Sequence, residues 1–167
     1  MSMRRRVVVT GMGAVTPLGN DVESTWNGLL AGKRGVGPIT RWDASKHSTR
    51  IAGMTKDFAL DPAIVDKKDA RRMDWFVQFA MKSTHEALND AGLGDLATVD
   101  MERFGVLIGS GIGGLGVIEE QNRILLEKGP GRVSPFLIPM LIVNMASGQV
   151  AIKWGFKGPN SAVATAC

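Results

Sequence analysis

Cysteine occurs once in the 167 residues and histidine twice, no apolar run approaches the length of a membrane span, and neither sign of charge dominates. With a single cysteine and no export signal, the sequence suits a reducing, cytoplasmic environment. The most apolar stretch, Phe136 to Val143, is broken by Pro139 and falls far short of the roughly 20 residues that cross a bilayer, so no transmembrane helix is expected. Met1 to Arg6 is basic, but the apolar run after it ends at Gly11, which reads as a first strand and not as a signal peptide. His47 lies in a polar loop and His85 within a helix, neither with the spacing of a metal site, so neither a metal nor a catalytic histidine is expected. The net charge of +4 suits an acidic partner, yet no interleaving of aromatic and basic residues points to nucleic acid. Repeats and low-complexity tracts are missing too, and residues 1–167 read as one continuous piece.

Glycine is abundant: 21 residues in 167, against a typical share of about 7 per cent. Tight turns at strand ends are implied. The pattern predicts a buried strand from Arg5 to Thr10 and a helix from Val22 to Ala31, capped by Asn20 or Asp21 and ended by Gly32. A glycine-punctuated loop region follows. Asp74 caps the clearest helix, Trp75 to Ala91, whose Phe76, Phe79, Ala80, Ser83, Ala87 and Ala91 form an expected core stripe before Gly92. A strand over Phe104 to Ile108, a helix from about Val117 to Glu127, a helix from Val143 to Trp154 and a strand from Ser161 to Ala166 complete the reading. Strands alternating with helices argue for an α/β fold with a mainly parallel sheet covered on both faces.

Gly109, Gly111 and Gly114 satisfy G-x-G-x-x-G between a strand and a helix, as a dinucleotide fingerprint does. A nucleotide fold needs a second strand soon after that helix and an acidic residue about 20 positions on. Glu127-Lys128-Gly129-Pro130-Gly131-Arg132 is no strand, so the glycines read as a tight packing loop. Cys167 closes the run Gly158-Pro159-Asn160-Ser161-Ala162-Val163-Ala164-Thr165-Ala166-Cys167. A lone cysteine is ordinarily a small buried hydrophobe. This one stands at the carboxyl end of a predicted strand, where open α/β sheets place their chemistry, and a nucleophile is the alternative.

Val7 to Gly19 (VVVTGMGAVTPLG), Phe104 to Gly116 (FGVLIGSGIGGLG), Ser134-Pro135-Phe136 through Asn144-Met145, and Gly158-Pro159 through Cys167 together resemble the β-ketoacyl-acyl carrier protein synthases. The resemblance spans nearly the whole chain and is closest to the type II synthases of dissociated fatty acid synthesis. It implies a thiolase-like fold of two similar halves, of which residues 1–167 are the first. It implies decarboxylative condensation of an acyl thioester with malonyl-acyl carrier protein through an acyl-enzyme on Cys167, with two histidines and a lysine supplied by the second half. A helix starting at the cysteine would lower its pKa from the free value of about 8.5 and favour the thiolate.

The resemblance places Ile112 in the acyl-chain pocket and Phe136 and Leu137 beside a homodimer interface and the substrate. Position alone marks all three as apolar and leaves ordinary core packing equally open. Lys67, Lys68, Arg71 and Arg72 match a stretch that docks the acidic acyl carrier protein in the resembled synthases. Asp61, Asp66, Asp69 and Asp74 balance these cations, so a solvated, self-neutralised helix face stands beside the docking reading. No cofactor is expected. A polyketide ketosynthase, or a non-catalytic chain-length-setting partner of the same fold, is the alternative, and the partner would lack the cysteine.

Overall fold

Asp21 opens the first helix, α1 (Val22–Leu30), its side chain accepting from Ser24 N at 2.6 Å. Of the two residues expected to cap it, Asp21 does so. Beyond Ala31, Gly32 takes a φ of +63° and turns the chain out of the helix. The computed structural model describes residues 5–165. They divide into two units, Met1–Ala59 with Ser83–Asp95, and Leu60–Lys82 with Leu96–Cys167.

The first unit holds α1 and a short antiparallel pair, β1 (Val36–Pro38) and β2 (Ile51–Gly53), in the register Val36↔Gly53. This pair lies where the sequence suggested only loops. Three-residue strands containing Gly37, Pro38 and Gly53 give no alternation to read. The strand expected from Arg5 to Thr10 does not form: the segment carries no ladder and Val7 is 91% exposed. A strand exists only through hydrogen bonds to a neighbour, and none of the described strands pairs with it.

The segment after it is held differently. Met12 N and Ala14 N, one residue apart on the same side of an extended chain, donate to Asp90 Oδ2 at 2.8 Å and Glu86 Oε2 at 2.9 Å. Both carboxylates belong to α3 (Trp75–Asp90), where i,i+4 spacing puts them on one face. Between these bonds, a side chain at Gly13 would strike the Ser83 carbonyl, and one at Gly11 the Ala87 carbonyl. The small residues at 83, 87 and 91 of the expected core stripe thus form a ledge for a glycine backbone. The fully buried line of α3 is Val77, Met81 and Leu88, one position round the helix from that stripe, whose members are half-buried.

The second unit holds α2 (Lys67–Ala70), β3 (Val106–Gly109), α4 (Leu115–Lys128), α5 (Leu137–Leu141), α6 (Met145–Trp154) and β4 (Asn160–Val163). β3 and β4 pair in parallel from Val106↔Asn160 to Gly109↔Val163, which requires the long crossover that α4 to α6 supply. α6 packs on both strands and buries Ala146, Ser147 and Val150. Val117, Met81, Ile64, Val65 and Phe156 complete the core of this unit. Phe156 stacks on Phe104 at 4.1 Å between ring centroids, and Gly155, left-handed at φ +73°, ends α6 as expected. Coverage of both sheet faces is not observed: Leu107, pointing away from its half-buried neighbours on β3, is 67% exposed. Alternation sends successive side chains to opposite faces, and among the described residues a helix packs on only one of them.

Candidate active site

The carboxyl ends of β3 and β4 meet at one place. Gly109 is the Cα partner of Val163, and Ser110 N donates to Val163 O at 3.0 Å. From β3 the chain enters the glycine loop. There Gly113 N donates to Ser110 Oγ at 3.0 Å and Gly114 N to Leu141 O at 2.9 Å. Gly113 sits at φ +81°, and a side chain on it would run into the Leu141 carbonyl. The loop is thereby clasped to the end of α5, as the packing reading of the glycines requires. After it come α4 and a 3-10 turn at Pro130–Arg132, with no strand until Asn160, so the nucleotide-binding spacing is not met. Ile112, at the loop's tip, is 61% exposed.

From β4 the chain runs on through Ala164 and Thr165. The expected nucleophile, Cys167, lies outside the described residues. The positions that lead to it are therefore the observable part of the site. Asn160, at the start of β4, is fastened to α6: its Nδ2 donates to Ser147 O and its Oδ1 accepts from Ser147 Oγ, each at 2.9 Å. Ser147 is 0% exposed. Its hydroxyl has one proton, shared between Asn160 Oδ1 and Asn144 O, also at 2.9 Å.

Phe136 caps α5, its N–H donating to Ser134 Oγ at 3.1 Å, while Ser134 N donates to Gln121 Oε1 of α4 at 2.7 Å. Pro139 is tolerated in α5 because the first-turn N–H groups of a helix have no intrahelical acceptor. The Phe136 ring is 39% exposed and Leu137 is half-buried. Over that ring, 4.4 Å from its centroid, stands the Arg72 guanidinium.

Arg72 follows α2, and the rest of the expected docking cluster lies on or beside that helix. Asp66 Oδ1 caps it, accepting from Lys68 N at 2.7 Å and Asp69 N at 3.0 Å. The Asp69 amide, followed by that of Lys68, holds the Asp66 carboxyl below its usual range. Asp61 accepts from Ala63 N and Asp74 from Phe76 N. Of the four carboxylates that could neutralise the cluster, one forms an ion pair with it, Asp69 with Arg72 at 3.8 Å. Lys67, Lys68 and Arg71 are exposed and have no ion pair among the described residues. Among the described residues the ion pair of that cluster is the Arg72–Asp69 one, and Lys68 adds a smaller electrostatic pull on Asp66.

A family model of the β-ketoacyl synthase N-terminal domain matches residues 4–167. The chain belongs to the β-ketoacyl synthase family. It is 52% identical over 164 residues to 3-oxoacyl-(acyl-carrier-protein) synthase 2 of Synechocystis sp., covering 98% of this chain and 39% of that protein. The enzyme of the same description from Coxiella burnetii is 54% identical over 165 residues, again 98% of this chain and 39% of the relative. Among solved structures, the ishigamide ketosynthase/chain length factor superposes with a TM-score of 0.82 at 30% identity, covering 98% of this chain and 41% of that one. The chain therefore spans about two fifths of the length of these relatives. Its α/β architecture is the thiolase-like one of the ketosynthases.

Within this synthase fold, sequence reasoning missed three features. The Ser147–Asn160 lock joins residues 13 apart whose only common signal is a small polar residue in an apolar helix and an amide opening a strand. Glu86, which besides Ala14 N accepts from Val22 N at 2.7 Å, left the signal of paired carboxylates at positions 86 and 90 of a helix that follows a G-x-G segment. Gln78 donates to Ala70 O and Met73 O and so ties the end of α2 to α3. The two histidines stay apart from all of this: His85 meets Asn89 at 3.1 Å, and His47 N donates to Ala44 O. Among the described residues there is no cluster of three metal-ligating side chains, and no helix is long and apolar enough to cross a membrane.

Proposed function

We propose that residues 1–167 form the amino-terminal half of a condensing enzyme that elongates acyl chains by decarboxylative Claisen condensation of an acyl thioester with malonyl-acyl carrier protein. The observation that carries this reading is the shared carboxyl end of β3 and β4. Through Gly109↔Val163 it brings the loop bearing Ile112 and the chain running to Cys167 to one end of a parallel ladder in a family of synthases. The Cys167 thiolate attacks the thioester carbonyl, and the donor thiol leaves with a proton. Malonyl thioester then loses carbon dioxide, and its carbanion attacks the acyl-enzyme carbonyl. A carbon–carbon bond forms, the bond to sulfur breaks, and the thiolate is restored. Backbone N–H groups beside the cysteine would stabilise the oxyanion of both tetrahedral species.

Ile112, Phe136 and Leu137 line the acyl chain in this reading, and Lys67, Lys68 and Arg71, without an ion pair among the described residues, receive an acidic carrier protein by electrostatic complementarity. The working enzyme is a cytoplasmic homodimer without a cofactor. Identity of 52–54% with 3-oxoacyl-(acyl-carrier-protein) synthases 2, against 30% with the ketosynthase/chain length factor, favours fatty acid over polyketide extension. The presence of Cys167 disfavours a non-catalytic partner. The full-length polypeptide, incubated with acyl thioester, should carry the acyl mass on the Cys167 peptide and lose condensation on Cys167→Ala. Full activity in that variant, with the adduct elsewhere, would sink the assignment.

A further inference from the structure

We infer that Arg72 is a positioning residue for the start of α5; the inference rests on the function proposed above and gives one cation of the docking stretch a task of its own. The guanidinium is already engaged on two sides, by the Phe136 ring at 4.4 Å and by Asp69 at 3.8 Å. The backbone that carries it is braced from both directions. Asp66 caps α2 with two hydrogen bonds, and the Gln78 amide donates to Ala70 O at 3.2 Å and Met73 O at 2.9 Å, on either side of Arg72. Arg71, one residue away, carries the same group with no such partners among the described residues.

What Arg72 holds matters because α5 is too short to be stable alone. It has five residues, one of them Pro139, and its cap, Phe136, makes no side-chain hydrogen bond to it. At its far end Leu141 O accepts from Gly114 N at 2.9 Å, and the Leu141 carbonyl fills the space over Gly113. A displacement of Phe136 therefore passes along α5 into the glycine loop that presents Ile112. Arg72 and Ile112 sit at the two ends of one contiguous path, Arg72 to Phe136 to α5 to Gly113–Gly114.

The test is made in the full-length enzyme with donors free of carrier protein, short-chain and long-chain acyl-coenzyme A. Arg72→Gln should lower the long-to-short ratio of kcat/KM by about two- to fivefold, the factor that corresponds to a partly exposed cation–π contact. Arg72→Lys, which keeps a cation over the ring, should recover part of it. Arg71→Gln should leave that ratio unchanged and raise the KM for acyl carrier protein. In a Phe136→Leu background the Arg72→Gln effect should vanish. Hydrogen exchange gives a readout independent of activity: the amides of Leu137 and Met140, bonded to Ser134 O and Phe136 O, should exchange faster in Arg72→Gln and not in Arg71→Gln. Unchanged exchange in α5, or an Arg72→Gln profile identical to that of Arg71→Gln, overturns the inference. A parent enzyme inactive on every donor would overturn the function reading, and the exchange comparison would then decide the Arg72–Phe136 brace alone.

Discussion

Replacing Asn160 should loosen the strand that leads to the nucleophile, by an amount the geometry fixes. Asn160→Ala removes two neutral hydrogen bonds of 2.9 Å between β4 and α6. Each is worth about 1 kcal/mol net. The Ser147 hydroxyl, although fully buried, is not orphaned, because Asn144 O remains within 2.9 Å to receive its proton. The penalty for an unsatisfied buried donor therefore does not apply, and the expected loss is about 1–3 kcal/mol. Ser147→Ala removes one of the two bonds and leaves an exposed amide that water can reach, so about 0.5–1.5 kcal/mol follows. The double variant should show a coupling of about 0.5–1.5 kcal/mol, read from urea midpoints of the four full-length proteins at a common m-value. Asn160→Asp adds a pH signature. Its second oxygen would face the Ser147 carbonyl, raising the folded-state pKa above the unfolded value of about 3.9. Stability is then retained below that value and lost as pH rises through the folded pKa, the reverse of an ordinary capping aspartate. Iodoacetamide labelling of Cys167 should change in the same order as the stabilities. A loss under about 0.5 kcal/mol for Asn160→Ala, with no coupling to Ser147, would refute the lock.

Gly113→Ala should cost about 2–4 kcal/mol, combining a positive φ with a collision against Leu141 O, whereas Gly155→Ala, left-handed at a similar φ but with open space around it, should cost about 1 kcal/mol; equal losses in urea unfolding would remove the clasp between loop and α5. Asp66 titrates below its ordinary value in the fold, so its contribution is present above an unfolded pKa of about 3.9 and fades as pH falls through the folded one. Amide exchange in α2 should accelerate over that acid window in the parent and stay flat in Asp66→Asn; a flat parent profile contradicts the cap. Ile112→Phe in the full-length enzyme should reject long acyl donors more than short ones, since overpacking penalises the larger ligand most. Uniform loss across chain lengths would place Ile112 outside the pocket.

The longer helices were legible because their ends are written locally, whereas the five-residue α5, with Pro139 inside it, was not. Asp21 before α1, Asp74 before α3, Gly129 after α4 and Gly155 after α6 each act on the adjacent turn, and the observed bounds fall within two residues of those expected. Strands depend on partners, and there the reading divides. β3 and β4 find each other and were seen in sequence, whereas Arg5 to Thr10, with three valines to one in each of those strands, pairs with none of the described strands and stays exposed. β1 and β2 exist through pairing alone, against residues that disfavour strands. At the site, the glycine loop was legible because a tight turn needs glycine. The tasks of Asn160 and Arg72 were not, because each depends on which element packs beside it. Cys167 was the most conspicuous residue of the sequence and lies outside the described residues.

Charge shows the same limit most clearly. Summed along the chain, 20 basic and 16 acidic residues leave only +4, which suggested a weak attraction for acidic partners. The fold does not present these charges evenly. Asp21, Asp43, Asp61, Asp66, Asp74, Glu86, Asp90 and Asp100 all accept hydrogen bonds from backbone N–H groups, capping helices and turns or holding the Met12–Ala14 segment. A carboxylate in that position is anchored by charge-assisted hydrogen bonds to the backbone, which competes with its swinging out to a neighbouring cation. Lysine and arginine have no equivalent task at helix starts, and on and just after α2 all four cations are exposed, Arg72 alone of them in an ion pair among the described residues. The Lys67–Arg71 edge thus presents three cations without an ion pair among the described residues, while Asp66 beside them keeps its own negative charge, which Lys68 helps to stabilise.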